Sequence, residues 1–245
     1  MSEQLEGRNP VLEALSRQRR RVRRVWLDER ARPEPRLRAI RRLAEEQGVR
    51  LEHVERRFLD RRCTTGVHNG VIAEVDELEH WSFSARMDAV FEQGEEPFFV
   101  VADELSYEHN LGAVLRSALG AGVHGLVIPT QRGKGVTPVA ARVSMGGVEE
   151  VPVIREGLSS ALKLAQRAGL RIVGADMDGA APWDVDMTGP IAIVLGGESK
   201  GLSKALRKRC DAIVGIPLAG DLQSLNVSVT AGVLLFERVR QVAQR

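Results

Sequence analysis

The chain has 245 residues, of which 43% are hydrophobic and 28% are charged, and its formal net charge is +2. This length and composition are those of a soluble, globular protein with one large domain or two small ones. No run approaches the roughly 18 apolar residues of a membrane helix and the opening MSEQLEGRNP lacks a secretion signal's apolar core, so we expect a cytoplasmic protein without a membrane partner.

The first 75 residues have a basic composition and an α/β pattern. They contain 18 Arg and no Lys against 12 Asp and Glu, a local net charge of +6. Hydrophobic periodicity and end signals predict, in chain order, a helix in PVLEALSRQ, a strand in RVRRVWLDE, a helix in PRLRAIRRLAEEQG ending at Gly48, and strands in VRLEHVE and GVIAEV. We therefore expect a small α/β domain at residues 1–75.

The next stretch is acidic. Residues 76–96 contain seven acids against Arg86 alone, a net charge of −6, and they show no clear periodicity. The pattern predicts a linker at residues 76–97, with room for one helix at SARMDAVFEQG.

From residue 98 to residue 245, strand-like and helix-like segments alternate. The segments are FFVVAD, NLGAVLRSALGAG, HGLVIP, PVAARVSMGG, EVPVI, LSSALKLAQRAG, RIVGAD, PIAIVLGG, LSKALRKRC, AIVGIP and SVTAGVLLFERVRQVAQ. Such alternation predicts a parallel sheet covered by helices. Ligands of open α/β sheets bind beyond the carboxyl ends of the strands. The polar clusters SYEHNLGAVLR, GGESKG and PLAGDLQSLN fall at such ends and together indicate a site.

Several familiar chemistries do not fit these clusters. GGESKGLSK has Gly196 and Gly201 at phosphate-loop spacing, but Leu202 stands where the loop needs Lys, and no GxGxxG follows a strand. No GxSxG motif is present, which disfavours a serine hydrolase. Cys63 and Cys210 have no CxxC motif and no His at ligand spacing, so neither a disulfide framework nor a metal site is expected.

Three motifs carry a family resemblance. NLGAVLRSA, VLGGESKGLS and IPLAGDLQSLNVSVTAG resemble, in order and separation, the signature motifs of the SpoU (TrmH-type, SPOUT superfamily) RNA ribose 2′-O-methyltransferases. GRNPVLEAL and LDRRCTTGVHNGVIAEV resemble the small substrate-RNA-binding domain of the RlmB-like branch. The resemblance implies an S-adenosylmethionine-dependent enzyme, a C-terminal deep trefoil knot and a homodimer formed through the catalytic domain. It implies cofactor contacts at Gly196, Gly197, Ile216, Leu218 and Leu225.

The catalytic candidates follow from the same motifs: Arg116, Asn110, Glu198, Ser224 and Asn226. Ser224 and Asn226 share one side of an extended segment, where they can bind cofactor or nucleotide, although either could simply cap the last helix. Asn110 could likewise be a helix cap. The resemblance gives Arg116 the central role; because a guanidinium stays protonated, we expect it to grip phosphate and stabilise a developing alkoxide. Glu198 could orient Arg116 or Asn226, or offset a sulfonium charge.

RNA is the expected partner. The run RQRRRVRR at residues 17–24 can grip phosphates and stack on bases, although a charge run is often only a solvated face. The same alternatives apply to the basic residues Lys200, Lys204, Arg207, Lys208 and Arg209. The predicted function is 2′-O-methylation of a guanosine in large-subunit (23S) ribosomal RNA. A transfer RNA ribose methyltransferase and a non-catalytic, RNA-binding ribosome assembly factor are the alternatives.

Overall fold

A computed structural model of the chain describes residues 2–103, 105, 107–130, 135–197 and 201–245. These residues form one mixed four-stranded sheet near the N-terminus and one six-stranded sheet in which all strands are parallel. The predicted α/β class and parallel sheet are therefore confirmed. None of the helices in the described part of the chain has the length and apolar content to span a bilayer.

The N-terminal sheet has the strand order β1-β4-β2-β3, with β4 antiparallel to both neighbours and β2 parallel to β3. Its elements are β1 (Ser2–Glu6), α1 (Arg8–Arg17), β2 (Val22–Asp28), α2 (Pro35–Glu46), β3 (Arg50–Val54), α3 (Arg56–Arg62) and β4 (Val71–Asp76). The sequence pattern missed β1 and α3. Each is short and buries few residues, Leu5 and Glu6 in β1 and Leu59 in α3, so neither shows a clear hydrophobic period.

The acidic stretch contains the one helix that the pattern allowed, α4 (Phe83–Glu92). Ser82 caps it by accepting a hydrogen bond from the Ala85 amide at 3.2 Å. The helix buries Phe83, Met87 and Val90, and the Phe83 ring meets Phe99 edge to face with 4.9 Å between centroids. This part of the acidic stretch is therefore packed on the second sheet.

The second sheet has the strand order β10-β8-β9-β5-β6-β7. Its elements are β5 (Phe98–Ala102), α5 (Glu108–Ala121), β6 (Gly125–Ile128), α6 (Pro138–Ser144), α7 (Gly147–Glu150), β7 (Val153–Arg155), α8 (Leu158–Arg167), β8 (Arg171–Ala180), β9 (Ile191–Leu195), α9 (Lys204–Arg207), β10 (Ala212–Val214) and α10 (Val227–Ala243). Every residue of β5 and β9 is buried, as expected for central strands covered on both faces.

The helix predicted in PVAARVSMGG extends only over α6. The pattern missed α7, which begins at the last residue of that segment. Met145 and Gly146 both have left-handed φ angles, 51° and 96°, which end α6 and redirect the chain into α7. The helix predicted in LSKALRKRC is likewise shorter than expected, because α9 covers only Lys204–Arg207. Periodicity alone does not mark these breaks.

A buried carboxylate fixes the loop that follows α3. Glu6 is fully buried and accepts hydrogen bonds from the Thr64 amide at 2.7 Å, the Thr65 amide at 3.0 Å, both threonine hydroxyls and the Cys63 thiol. Burial by itself would raise the pKa of Glu6, but these hydrogen bonds outweigh it and lower the pKa from 4.5 to about 2. Ionised Glu6 therefore stabilises the fold.

We expect Glu6→Gln to lower the free energy of unfolding by about 2 kcal/mol near neutral pH. The glutamine side chain has an NH₂ group in place of one carboxylate oxygen, and this group would face main-chain and hydroxyl donors instead of accepting from them. The folded pKa lies below the unfolded one, so the contribution is complete above about pH 4.5 and is lost as the pH falls toward about 2. Urea unfolding of both proteins at several pH values measures this. A difference in unfolding free energy that stays constant down to about pH 3 would contradict it.

Candidate functional site

A cavity of 730 Å³ opens at the carboxyl ends of β8, β9 and β10. The loops after β9 and β10 form its walls, and the first turns of α5 and α10 close one side. This is the position at which open α/β sheets bind ligands. The cavity is lined by Tyr107, Asn110, Ala175, Asp176, Met177, Leu195, Gly196, Gly197, Gly201, Val214, Gly215, Ile216, Leu218, Gln223, Ser224, Leu225, Asn226, Val227, Thr230 and Leu234.

Most residues singled out from the sequence line this cavity. They are Asn110, Gly196, Gly197, Ile216, Leu218, Ser224, Leu225 and Asn226. Glu198 lies outside the described residues. Arg116 lies on α5 and is not among the residues that line the cavity. The structure therefore brings the three motifs together and leaves Arg116 at a separate place on the surface.

Gly196, Gly197 and Gly201 form one wall of the cavity, the glycine wall, and main-chain contacts hold it together. The amides and carbonyls of Gly197 and Gly201 exchange two hydrogen bonds of 3.0 Å, which closes the loop between them. A Cβ atom on Gly196 would lie 2.3 Å from the Gly201 carbonyl carbon and 2.5 Å from the Leu202 nitrogen. A side chain therefore cannot be accommodated at Gly196 without moving the main chain, and the wall presents backbone to the cavity.

The neighbouring wall, formed by the end of β8, is braced by an ion-pair cluster that the sequence did not reveal. Arg207 donates to Asp176 at 2.7 Å and to both carboxylate oxygens of Asp178, at 2.8 and 2.9 Å. Asp176 and Met177 line the cavity on the extended end of β8. Arg207 thus ties α9 to this strand. The alternation of Asp176, the last residue of RIVGAD, with Asp178 is the sequence signal that the strand continues.

The interior of the cavity combines apolar side chains with exposed main chain. Ile216, Leu218 and Leu225 contribute apolar surface, and Gly196 and Gly197 contribute backbone groups. Small-molecule sites of several hundred Å³ commonly combine apolar walls with a few convergent polar groups. The size and lining fit a nucleoside-sized ligand held by its flat base and by main-chain hydrogen bonds.

Asn226 joins the two helices at the cavity mouth. It is the N-cap of α10, where its Oδ1 accepts from the Ser228 amide at 2.8 Å and the Ser228 hydroxyl at 2.6 Å. Its Nδ2 donates to Oδ1 of Asn110 at 3.1 Å. Asn226 therefore caps α10 and also lines the cavity, and its role in binding cofactor or nucleotide stays a prediction. Asn110 is not a cap, because α5 begins at Glu108 after Tyr107.

Arg116 lies two turns along α5, exposed, next to an apolar surface stripe on α10. Val229, Val233 and Phe236 of α10 are 50%, 40% and 49% exposed and recur at helical spacing on one face. Phe236 lies 3.3 Å from the Cβ position of Gly120, which is one turn after Arg116 on α5. Arg116 therefore borders the stripe formed by Val229, Val233 and Phe236.

Two protein families match this chain, and together they cover most of it. Residues 97–236 match the SpoU rRNA Methylase family, and residues 4–81 match the family described as RNA 2'-O ribose methyltransferase substrate binding. The chain is 38% identical over 244 residues to a 23S rRNA (guanosine-2'-O-)-methyltransferase RlmB of Pseudomonas putida, covering 98% of this chain and 96% of that protein.

Two further proteins are similar over nearly the whole chain. A putative TrmH family tRNA/rRNA methyltransferase, YacO of Bacillus subtilis, is 35% identical over 237 residues, covering 96% of this chain and 94% of that protein. The crystal structure of the SpoU methyltransferase AviRb from Streptomyces viridochromogenes, in complex with AdoMet, aligns with a TM-score of 0.82 at 26% identity. That alignment covers 99% of this chain and 91% of the other.

Proposed function

Since the chain belongs to the SpoU rRNA methylase family, we propose that it transfers a methyl group from S-adenosylmethionine to the ribose 2′-hydroxyl of a guanosine in 23S ribosomal RNA. The family membership confirms the predicted enzyme class and the predicted cofactor. The observation that carries the proposal is the cavity in which a glycine main-chain wall meets the Asn110–Asn226 pair. The guanosine is inferred from the relatives named RlmB.

The proposed cofactor residues lie in the two cavity loops, which follow β9 and β10. We assign the adenosyl group to the apolar surfaces of Ile216, Leu218 and Leu225, and its polar edges to main-chain groups near Gly196 and Gly197. When bound, S-adenosylmethionine supplies a methyl group that its sulfonium has already activated. The protein's own task is to orient the acceptor hydroxyl, to exclude water and to stabilise the oxygen as it loses its proton.

We assign that task to the polar residues at the mouth of the cavity together with Arg116 on α5 and Glu198. Asn226 is held rigidly by its cap hydrogen bonds and by Asn110, so it presents a fixed amide at the entrance. Ser224 lines the same wall and is assigned to binding the cofactor or the nucleotide. Arg116, always charged, is assigned to the target phosphate and to the developing alkoxide. Glu198 is assigned to orienting these groups.

We also assign a deep trefoil knot to the C-terminal segment. The support is topological: β9 pairs with β5 and β8, β10 pairs at the far side of β8, and α10 then returns to pack on α5 and β9. The loops after β9 and β10 both line one cavity. Gly196 and Gly197 lie in the first crossing loop, Ile216 and Leu218 in the second, and Leu225 in the third.

The surface beside Arg116 supports the proposal of a homodimer formed through the catalytic domain. The stripe formed by Val229, Val233 and Phe236 is an exposed apolar face on a catalytic-domain helix. A second copy packed on this stripe would remove it from water. Because Arg116 borders the stripe, the partner copy would also lie beside the catalytic arginine, which places the active site at the interface.

RNA binding is assigned to residues 1–75, with a surface different from the one that the arginine run suggested. Arg17 and Arg19 pair with Glu150, Arg20 is buried, and Arg23 pairs with Asp76. The helix α3 exposes four arginines, Arg56, Arg57, Arg61 and Arg62, although Arg56 lies 3.8 Å from Asp28 and Arg62 lies over the Trp26 ring. We propose that α3 contacts RNA phosphates, and that residues 98–245 carry out the reaction after the acidic connection at residues 76–97.

The deciding experiment gives the purified chain radiolabelled S-adenosylmethionine and separate pools of unmodified ribosomal RNA, assembling ribosomal particles and transfer RNA. We expect label at one ribose of 23S ribosomal RNA, free or in the particle. Label in transfer RNA alone would keep the reaction and overturn the substrate. Cofactor binding without label in any pool would favour the non-catalytic assembly factor.

A further inference from the structure

Arginines of the run at residues 17–24 contact residues 98–245, which form the catalytic half of the chain. Arg20 donates through Nε to Glu149 at 3.1 Å and makes a second, shorter contact through Nη2, so the pair is bidentate. The two side chains are 1% and 3% exposed. Glu3 also pairs with Arg20. A buried charge pair of this kind holds two elements in one relative position, because neither partner can be left alone in the interior.

Other residues of the N-terminal part of the chain contact α6, α7 and the bend between these two helices. Glu150 pairs with Arg17 and Arg19 at 3.3 and 3.1 Å at the solvent edge. Asn9 contacts Met145 at 2.9 Å, and Arg142 donates to Thr65 at 2.9 Å. Val11 and Ala14 of α1 belong to the same buried apolar cluster as Val148 of α7. The N-terminal sheet and its helices are therefore seated on α6 and α7.

The same short helix touches the main chain of the catalytic arginine. A Cβ atom on Gly147, the first residue of α7, would lie 2.6 Å from the Leu115 carbonyl oxygen and 3.2 Å from the Arg116 nitrogen. α6 is equally close to α5, since a Cβ atom on Gly112 would lie 2.7 Å from that of Val143. Helices in contact at backbone distance cannot shift independently. Movement of α7 would therefore move α5 at Arg116.

We propose that Arg20 and Glu149 are positioning residues for Arg116: their buried ion pair seats α7 against α5 and fixes the main chain from which Arg116 extends. This inference rests on the proposed function of Arg116. Glu149 is two residues from Gly147, and Gly147 lies against Arg116, so two contacts link the N-terminal sheet to the catalytic arginine. Arg20 of the arginine run thus supports catalysis from inside the protein.

The test compares neighbouring carboxylates on one helix. Glu149→Gln removes the buried partner of Arg20, whereas Glu150→Gln removes only the edge pairs and serves as the matched control. We expect Glu149→Gln to lower kcat for methyl transfer about tenfold, with the KM for RNA and the affinity for S-adenosylmethionine within about twofold of the original. Hydrogen exchange of the α5 amides around Arg116 should accelerate in Glu149→Gln and stay unchanged in Glu150→Gln.

A second variant separates positioning from loss of folding. The double variant Arg20→Met, Glu149→Leu fills the interface with apolar groups of similar volume, which commonly preserves stability. It should recover most of the lost kcat. A wild-type kcat in Glu149→Gln would overturn the proposal, as would a tenfold loss in the double variant with unchanged thermal stability. Absence of transfer by the unaltered chain would instead mean that the proposed function itself fails.

Discussion

Arg116→Ala should lower kcat for methyl transfer by about 10² to 10³, the range observed when one preorganised group that stabilises transition-state charge is removed. The side chain is exposed and lies outside the cavity, so the fold and the affinity for S-adenosylmethionine should not change. The loss should appear in kcat as well as in kcat/KM, because the developing alkoxide exists only in the transition state. Single-turnover transfer of labelled methyl groups to ribosomal RNA measures it.

Two controls define the role of Arg116. Arg167→Ala removes another exposed arginine of the catalytic half, on α8, and should leave transfer unchanged. Arg116→Lys keeps the positive charge but not the planar fork, and should recover only part of the rate, because bidentate phosphate contacts are lost. If Arg116→Ala kept at least half of the original kcat, the assignment of Arg116 to phosphate and alkoxide would be wrong.

The cavity could be predicted from the sequence because its chemistry is local. Gly196 and Ile216 closely follow the strands β9 and β10, and parallel strands bring their carboxyl ends to one edge. Leu225 lies just before α10, and only the motif resemblance pointed to it. The Asn226 cap was also readable as one of two alternatives, since a small polar residue preceding an apolar helix is a common N-cap. In this structure Asn226 caps α10 and lines the cavity, with separate atoms facing Ser228 and Asn110.

The contacts of the arginine run could not be predicted. Local charge counts do not distinguish a solvated arginine from one paired with a carboxylate more than a hundred residues away. Arg20 and Glu149 are separated by 129 positions, and nothing near either residue marks the pairing. The bend at Met145 and Gly146, which presents Glu149 to Arg20, was hidden inside what reads as a single helix. Tertiary contacts decided both features.

Gly196→Ala should weaken S-adenosylmethionine binding by about 10- to 100-fold, although alanine adds only one methyl group. The new Cβ would lie 2.3 Å from the Gly201 carbonyl carbon, and a clash with main chain cannot be relieved by turning a side chain. Forcing apart packed atoms costs about 1–3 kcal/mol, which corresponds to this range of affinity if the strain falls on the binding-competent wall. Calorimetric titration with S-adenosylmethionine measures it.

The strain falls on that wall because Gly196 packs directly on Gly201, whose paired hydrogen bonds with Gly197 close the first cavity loop. Gly157→Ala is the matched control: its nearest atom would be the Ser160 hydroxyl oxygen at 3.7 Å, an ordinary contact, and it lies outside the cavity. That variant should bind the cofactor normally. Original affinity in Gly196→Ala, with an unchanged circular dichroism spectrum, would mean that the cofactor is held by other loops, and the assignment of the glycine wall would have to be abandoned.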